Sequence, residues 1–306
     1  KSRQKSARIA GYDPVLRARQ WLSETPPRPT DRENAEPSDR ASTGRSLNSS
    51  EGTRAARAPK LDQPTLRRLR PHVINLANGM LSGGGEFQTD EGDVRRIFEE
   101  ELPRRVKRLG NGEKLPIVLY AHGGLVDESS GLLIAAAQTP WWIENGTYPI
   151  AFVWETGLWE TLGRMIGIGG RALAQRGDTS DAIVEGIVRL ANGKSIWQAM
   201  KFSAAHAFEA GGGGTIVLEH MQKFLATSGD KVRFHAVGHS AGSIFHSYLL
   251  PKLLALNGTT VDSLSLLAPA ITVADFKARL VPHVGSRIRR LAMFTMGKDA
   301  ELADTV

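Results

Sequence analysis

The chain has 306 residues, of which 41% are apolar, and it contains no cysteine. That excludes disulfides, a thiol nucleophile and a thiolate metal site, and it fits a reducing, cytoplasmic setting. No apolar run approaches the ~18 residues that a membrane span needs. The net charge of +7 is unevenly spread: sixteen Lys/Arg face eight Asp/Glu up to Pro71, and twenty-three face twenty-four from His72 onward. A nucleic-acid enzyme carries its positive charge around its site, so the near-neutral body argues against specific nucleic-acid chemistry.

Residues 1–70 are rich in Arg, Pro, Ser and Thr. A short amphipathic helix fits Pro14–Leu22. The stretch Thr25–Arg40 has almost nothing to bury and is expected to be disordered. This basic leader is either a solvated linker or an arm in weak contact with an anionic surface. The chain opens on Lys1 and stops at Val306, so we expect a piece of a longer, multidomain protein.

A folded domain is expected over 71–306. It begins with a short strand at Val73–Leu76. Asp93–Leu102 has acidic residues at its start and helical apolar spacing, and Pro103 should make that helix kink or restart. Leu115–Ala121 is a buried-type strand running into His122-Gly123-Gly124-Leu125. Leu132–Gln138 is a helix and Tyr148–Trp154 the next strand. The connection that follows is too long for one crossover. Thr215–Leu225 suffices as the crossover helix, which leaves 155–214 as an insertion rich in Trp, Met and Ile. A structureless loop of that length is uncommon, so it is expected to be a helical cap. The glycine runs Gly167–Gly170 and Gly211–Gly214 are either hinges or parts of a rigid subdomain. Lys231–Val237 is a further strand, Ser243–Leu250 a helix, and Val261–Leu267 and Ile288–Met296 close the set. Strands alternating with helices predict an α/β fold with a mainly parallel sheet covered on both faces.

Between the strand ending at Val237 and the helix starting at Ser243 stands Gly238-His239-Ser240-Ala241-Gly242. A Gly-x-Ser-x-Gly in that setting is a nucleophile elbow: the turn is too tight for side chains at its flanks, and the serine is driven above the strand ends. The helix N-terminus also favours developing negative charge. This pentapeptide, downstream of a strand ending in His122-Gly123-Gly124, resembles the α/β-hydrolase superfamily of esterases and lipases over residues 72–306.

The resemblance implies an α/β-hydrolase-type sheet flanked by helices, with Ser240 as nucleophile. Backbone N–H groups of Ala241 and Gly124, or of Gly123 or Leu125, would hold the oxyanion. His122, structural in such loops, would stand with Leu125, His239 and Trp159 along the substrate wall. The family order is Ser, then Asp or Glu, then His. The acid would follow the Ile288–Met296 strand, which favours Asp299 over Glu301 and Asp304. No histidine follows Asp299; the base is either His283 or a residue beyond Val306. No metal and no cofactor is required. The apolar cap composition points to an ester with a lipid-like acyl part. A binding module without catalysis is the alternative from another class, and a basic adaptor acting through the leader is a third.

Overall fold

The computed structural model describes residues 60–124, 126–155, 193–256, 258–295 and 297. The leader up to residue 59, with its disorder and its anionic-surface contact, lies outside the described residues, as does 156–192 of the insertion.

Seven strands form one sheet: β1 (Val73–Ala77), β2 (Met80–Leu81), β3 (Leu115–Ala121), β4 (Tyr148–Glu155), β5 (Val232–His239), β6 (Val261–Leu267) and β7 (Leu291–Phe294). Their order is β2-β1-β4-β3-β5-β6-β7, and every pair is parallel except β1 with β2. The fold is α/β, with helices α1 (Gln63–Leu69), α2 (Glu91–Arg95), α3 (Leu102–Val106), α4 (Glu128–Glu144), α5 (Gly193–Ala207), α6 (Gly213–Ser228), α7 (Gly242–Ala255) and α8 (Val273–Arg279).

The period-two alternation of strands divides the apolar side chains between two cores. Ile117, Leu119, Ala121, Ile150, Phe152 and Trp154 join the larger one, with α2, α6 and α7. At its centre the Phe245 ring of α7 lies 5.0 Å from that of Phe152 and 5.2 Å from that of Trp154. Tyr120, Ala151 and Val153 point the other way, onto Leu66 and Leu69 of α1 and Leu132 and Ala135 of α4. The fold therefore reaches back before residue 71: α1 is capped by Asp62, whose side chain accepts from the Thr65 N–H, and its two leucines are buried.

The second face is more polar on β5. On β5 that face carries exposed Arg233 and half-buried His235, the latter 2.8 Å from Ser263 of β6. Polar residues thus alternate with apolar ones along this strand.

Pro103 does not end its helix. Six residues, Arg96–Glu101, form a π-helical segment between α2 and α3, and Pro103 sits in the first turn of α3. The wider turn absorbs the clash that a proline ring makes with the carbonyl four residues earlier.

The described end of the insertion is helical but belongs to the main body. Met200, Ala204 and Ala207 of α5 enter the larger core, and Ser203 Oγ donates to the Glu155 carbonyl at 3.1 Å. Gly212, Gly213 and Gly214 of the second glycine run are packing positions. A Cβ on Gly213 would lie 2.6 Å from Leu76 Cδ2 and 2.8 Å from Leu81 N, and one on Gly214 would lie 2.8 Å from the Ala207 carbonyl oxygen. Glycine is needed there because α6 starts directly against the β1–β2 hairpin.

Candidate active site

Ser240 and Ala241 are the only residues between β5 and α7. Ser240 has φ of +47°, a left-handed conformation that costs a non-glycine residue about 1–3 kcal/mol. The flanking glycines make room for it. A Cβ on Gly238 would lie 2.9 Å from Gly242 C and Ser243 N, and one on Gly242 would overlap the Ala121 carbonyl oxygen at the end of β3. Strand, turn and helix are thus in backbone contact.

Four hydrogen bonds hold the strained residue. Its N–H donates to the Leu267 carbonyl at 2.8 Å. Its carbonyl accepts from Ser243 N–H at 3.0 Å, from Ala270 N–H at 3.1 Å and from Ser243 Oγ at 2.6 Å. Backbone strain persists where the surroundings over-determine it in this way.

The loop after β3 is fixed by His122, which is 2% exposed. The ring Nε2 accepts the Trp154 N–H at 3.1 Å, so the proton sits on Nδ1, which donates to the Gly123 carbonyl at 2.7 Å. Trp154 Nε1 donates in turn to the His122 carbonyl at 3.0 Å. Burial lowers the His122 pKa to about 4, which keeps the ring neutral. With both nitrogens engaged inside the protein, His122 shapes the loop.

The loop glycines meet the elbow. A Cβ on Gly123 would lie 3.4 Å from Ser240 Cβ and 3.3 Å from His239 Nδ1. One on Gly124 would lie 2.9 Å from Ala241 Cβ and 2.6 Å from Met200 Sδ. Gly123 therefore lies against Ser240, and Gly124 against Ala241, the next residue along the turn. Ala241 is the N-cap of α7, where a helix leaves its first backbone N–H groups without an internal acceptor and carries the positive end of its dipole. Exposed His239 stands beside Gly123 at this end of the sheet.

His283 is not brought to the site. It lies in the turn Val281–His283, and its carbonyl accepts from Ile288, which bridges to Val261 at the amino end of β6. Ser240 binds Leu267 at the carboxyl end of the same strand. Six residue steps of ~3.3 Å put roughly 20 Å between these two ends of β6. The cause is topological: α8 carries the chain back down the sheet before β7 begins. Asp299, Glu301 and Asp304, with Leu125 and Trp159, lie outside the described residues.

Two contributors went unread in the sequence. Ser243 is fully buried, and its role shows only in its spacing of three from Ser240. Met200 was one apolar residue among many in the insertion, and helix α5 seats it against Gly124. An ion pair between Lys201 and Asp275 joins α5 to α8, and it is the main reason the Asp275 carboxyl titrates below its ordinary range.

No protein-family model, no curated protein and no solved structure matches this chain. What fold and site define is an α/β protein with a seven-stranded, mostly parallel sheet. At its carboxyl edge a strained serine faces two loop glycines and a helix N-terminus.

Proposed function

We propose that this chain is a serine hydrolase of the α/β-hydrolase kind, cleaving a carboxylic ester with an apolar acyl part. The observation that carries the reading is Ser240 at φ +47° between β5 and α7, with Gly123 against its Cβ. In the proposed reaction the Ser240 oxygen bonds to the ester carbonyl carbon while a base takes its proton. The tetrahedral oxyanion is held by backbone N–H groups of Ala241 and of the Gly123–Gly124 loop, each such donor being worth about 10²–10³ in rate. The alcohol leaves with that proton, and water then releases the acid from the acyl-enzyme. Met200, seated on Gly124, supports an apolar acyl group next to the oxyanion site.

The base is the part that the described residues do not assemble: among them no histidine–carboxylate pair stands beside Ser240. The position of His283 at the far edge of the sheet favours a second reading, a module that binds an ester-like ligand without turning it over. Labelling with a fluorophosphonate separates the two. Covalent labelling lost in Ser240→Ala is the expected result; a folded protein that stays unlabelled supports the binding module. Labelling of His239→Ala alongside tells whether that imidazole supplies the base.

A further inference from the structure

We infer that Ser243 is a positioning residue for the oxyanion donor, acting through the Ser240 peptide; this rests on the hydrolase reading above. Ser243 is the second residue of α7 and is 0% exposed. A buried hydroxyl left without partners costs about 1–3 kcal/mol. This one is satisfied on both sides: Oγ donates to the Ser240 carbonyl at 2.6 Å and accepts the Ile271 N–H at 3.0 Å. The helix does not require it, because the backbone N–H of Ser243 already reaches the Ser240 carbonyl at 3.0 Å.

The consequence lies in the peptide plane. The Ser240 C=O and the Ala241 N–H belong to one planar trans unit and point in opposite directions. Whatever pins the carbonyl therefore aims the N–H. Three donors converge on that carbonyl, from Ser243 N, Ser243 Oγ and Ala270 N. The Ser243 hydroxyl is the one that also holds the loop after β6, by way of Ile271. It thus locks the elbow to the neighbouring strand end and sets the direction of the Ala241 N–H, which matters most when charge develops on the substrate oxygen. An interaction of that kind acts on the transition state more than on binding.

The test compares wild type, Ser243→Ala and Ser243→Thr in the whole chain, using a fluorophosphonate, whose phosphoryl oxygen occupies the oxyanion site. Saturation kinetics give the inactivation rate constant and the apparent binding constant separately. Ser243→Ala is expected to lower the rate constant about tenfold, less than loss of a donor outright, with the binding constant within about twofold. Ser243→Thr, which keeps the hydroxyl, should recover most of the rate. Amide hydrogen exchange at Ala270 and Ile271 should quicken in the alanine variant while the β3 and β5 amides stay protected. An unchanged rate constant, or exchange unchanged at both loop amides, overturns the inference while leaving the hydrolase reading intact. A wild-type protein that does not label overturns both.

Discussion

Alanine at Gly242 perturbs the tightest backbone contact of the site. The added Cβ would overlap the Ala121 carbonyl oxygen, lie 2.8 Å from the Ala121 carbonyl carbon and 3.1 Å from the His122 carbonyl oxygen. All three are main-chain atoms, so no rotamer change relieves the clash. Ala121 is fully buried and paired on both sides, with Phe152 of β4 and Gly238 of β5. Either the start of α7 lifts from the sheet or the middle of the sheet distorts. Overpacking costs 1–3 kcal/mol where side chains can adapt; with backbone on both sides we expect about 3 kcal/mol. For a domain of this size that lowers the unfolding midpoint by roughly 6–12 °C. Gly83→Ala is the internal control: nothing lies within 4 Å of its Cβ position and its φ is ordinary, so its effect should stay within about 0.5 kcal/mol. Thermal and urea unfolding followed by circular dichroism read both variants against wild type. Fluorophosphonate labelling of Gly242→Ala should also fall, because Ser240 and Ala241 are attached to the displaced helix. A Gly242→Ala protein that unfolds with the Gly83→Ala control would refute the close contact from which the elbow is argued.

Three further outcomes are expected. Ser240→Gly should be more stable than Ser240→Ala by about 0.5–1 kcal/mol in urea, since relief of the left-handed strain exceeds the added flexibility of the unfolded chain; equal stability would remove the argument for strain. Burial lowers His122 and His246 to about 4 from an ordinary 6.5, so both are neutral in the folded state. Their stabilising effect is complete above pH 6.5 and is lost as pH falls from 6.5 towards 4, at up to about 1.4 kcal/mol per pH unit for each group. The urea midpoint measured at pH 7.5 and pH 5 should show this drop, and His246→Phe should reduce its slope. Met200, 5% exposed against Gly124, should cost about 2 kcal/mol as alanine and shift labelling towards bulkier fluorophosphonates; an unchanged preference would take Met200 off the acyl wall.

Much of the site was legible because its constraints are local. Gly238 and Gly242 flank Ser240 within five residues, and the tightness of that turn is a steric property of the pentapeptide between an apolar strand and a helix. The His122-Gly123-Gly124 end of β3 was legible for the same reason, as were strands β1, β3, β4, β5 and β6. Contacts between distant segments were not. The Gly211–Gly214 run has the composition of a hinge, yet Leu76 and Leu81, more than a hundred residues earlier, make Gly213 a packing position. His122 has the chemistry of a substrate ligand, and Trp154 on the neighbouring strand turns it into an internal brace.

Sequence alone thus determined the α/β class, the elbow at Ser240 and the glycine loop that meets it, because period-two alternation and turn sterics act over a few residues. Only tertiary structure decided which end of the sheet each residue reaches. His283 follows Ser240 in the chain as a base should, but the helix between β6 and β7 returns it to the amino edge. Ser243 is an ordinary helix residue in the sequence; it becomes part of the site only where the turn after β6 brings Ile271 within hydrogen-bond distance of its hydroxyl. In a parallel sheet strand order and crossover path set these distances, and both depend on pairings between residues far apart in the chain.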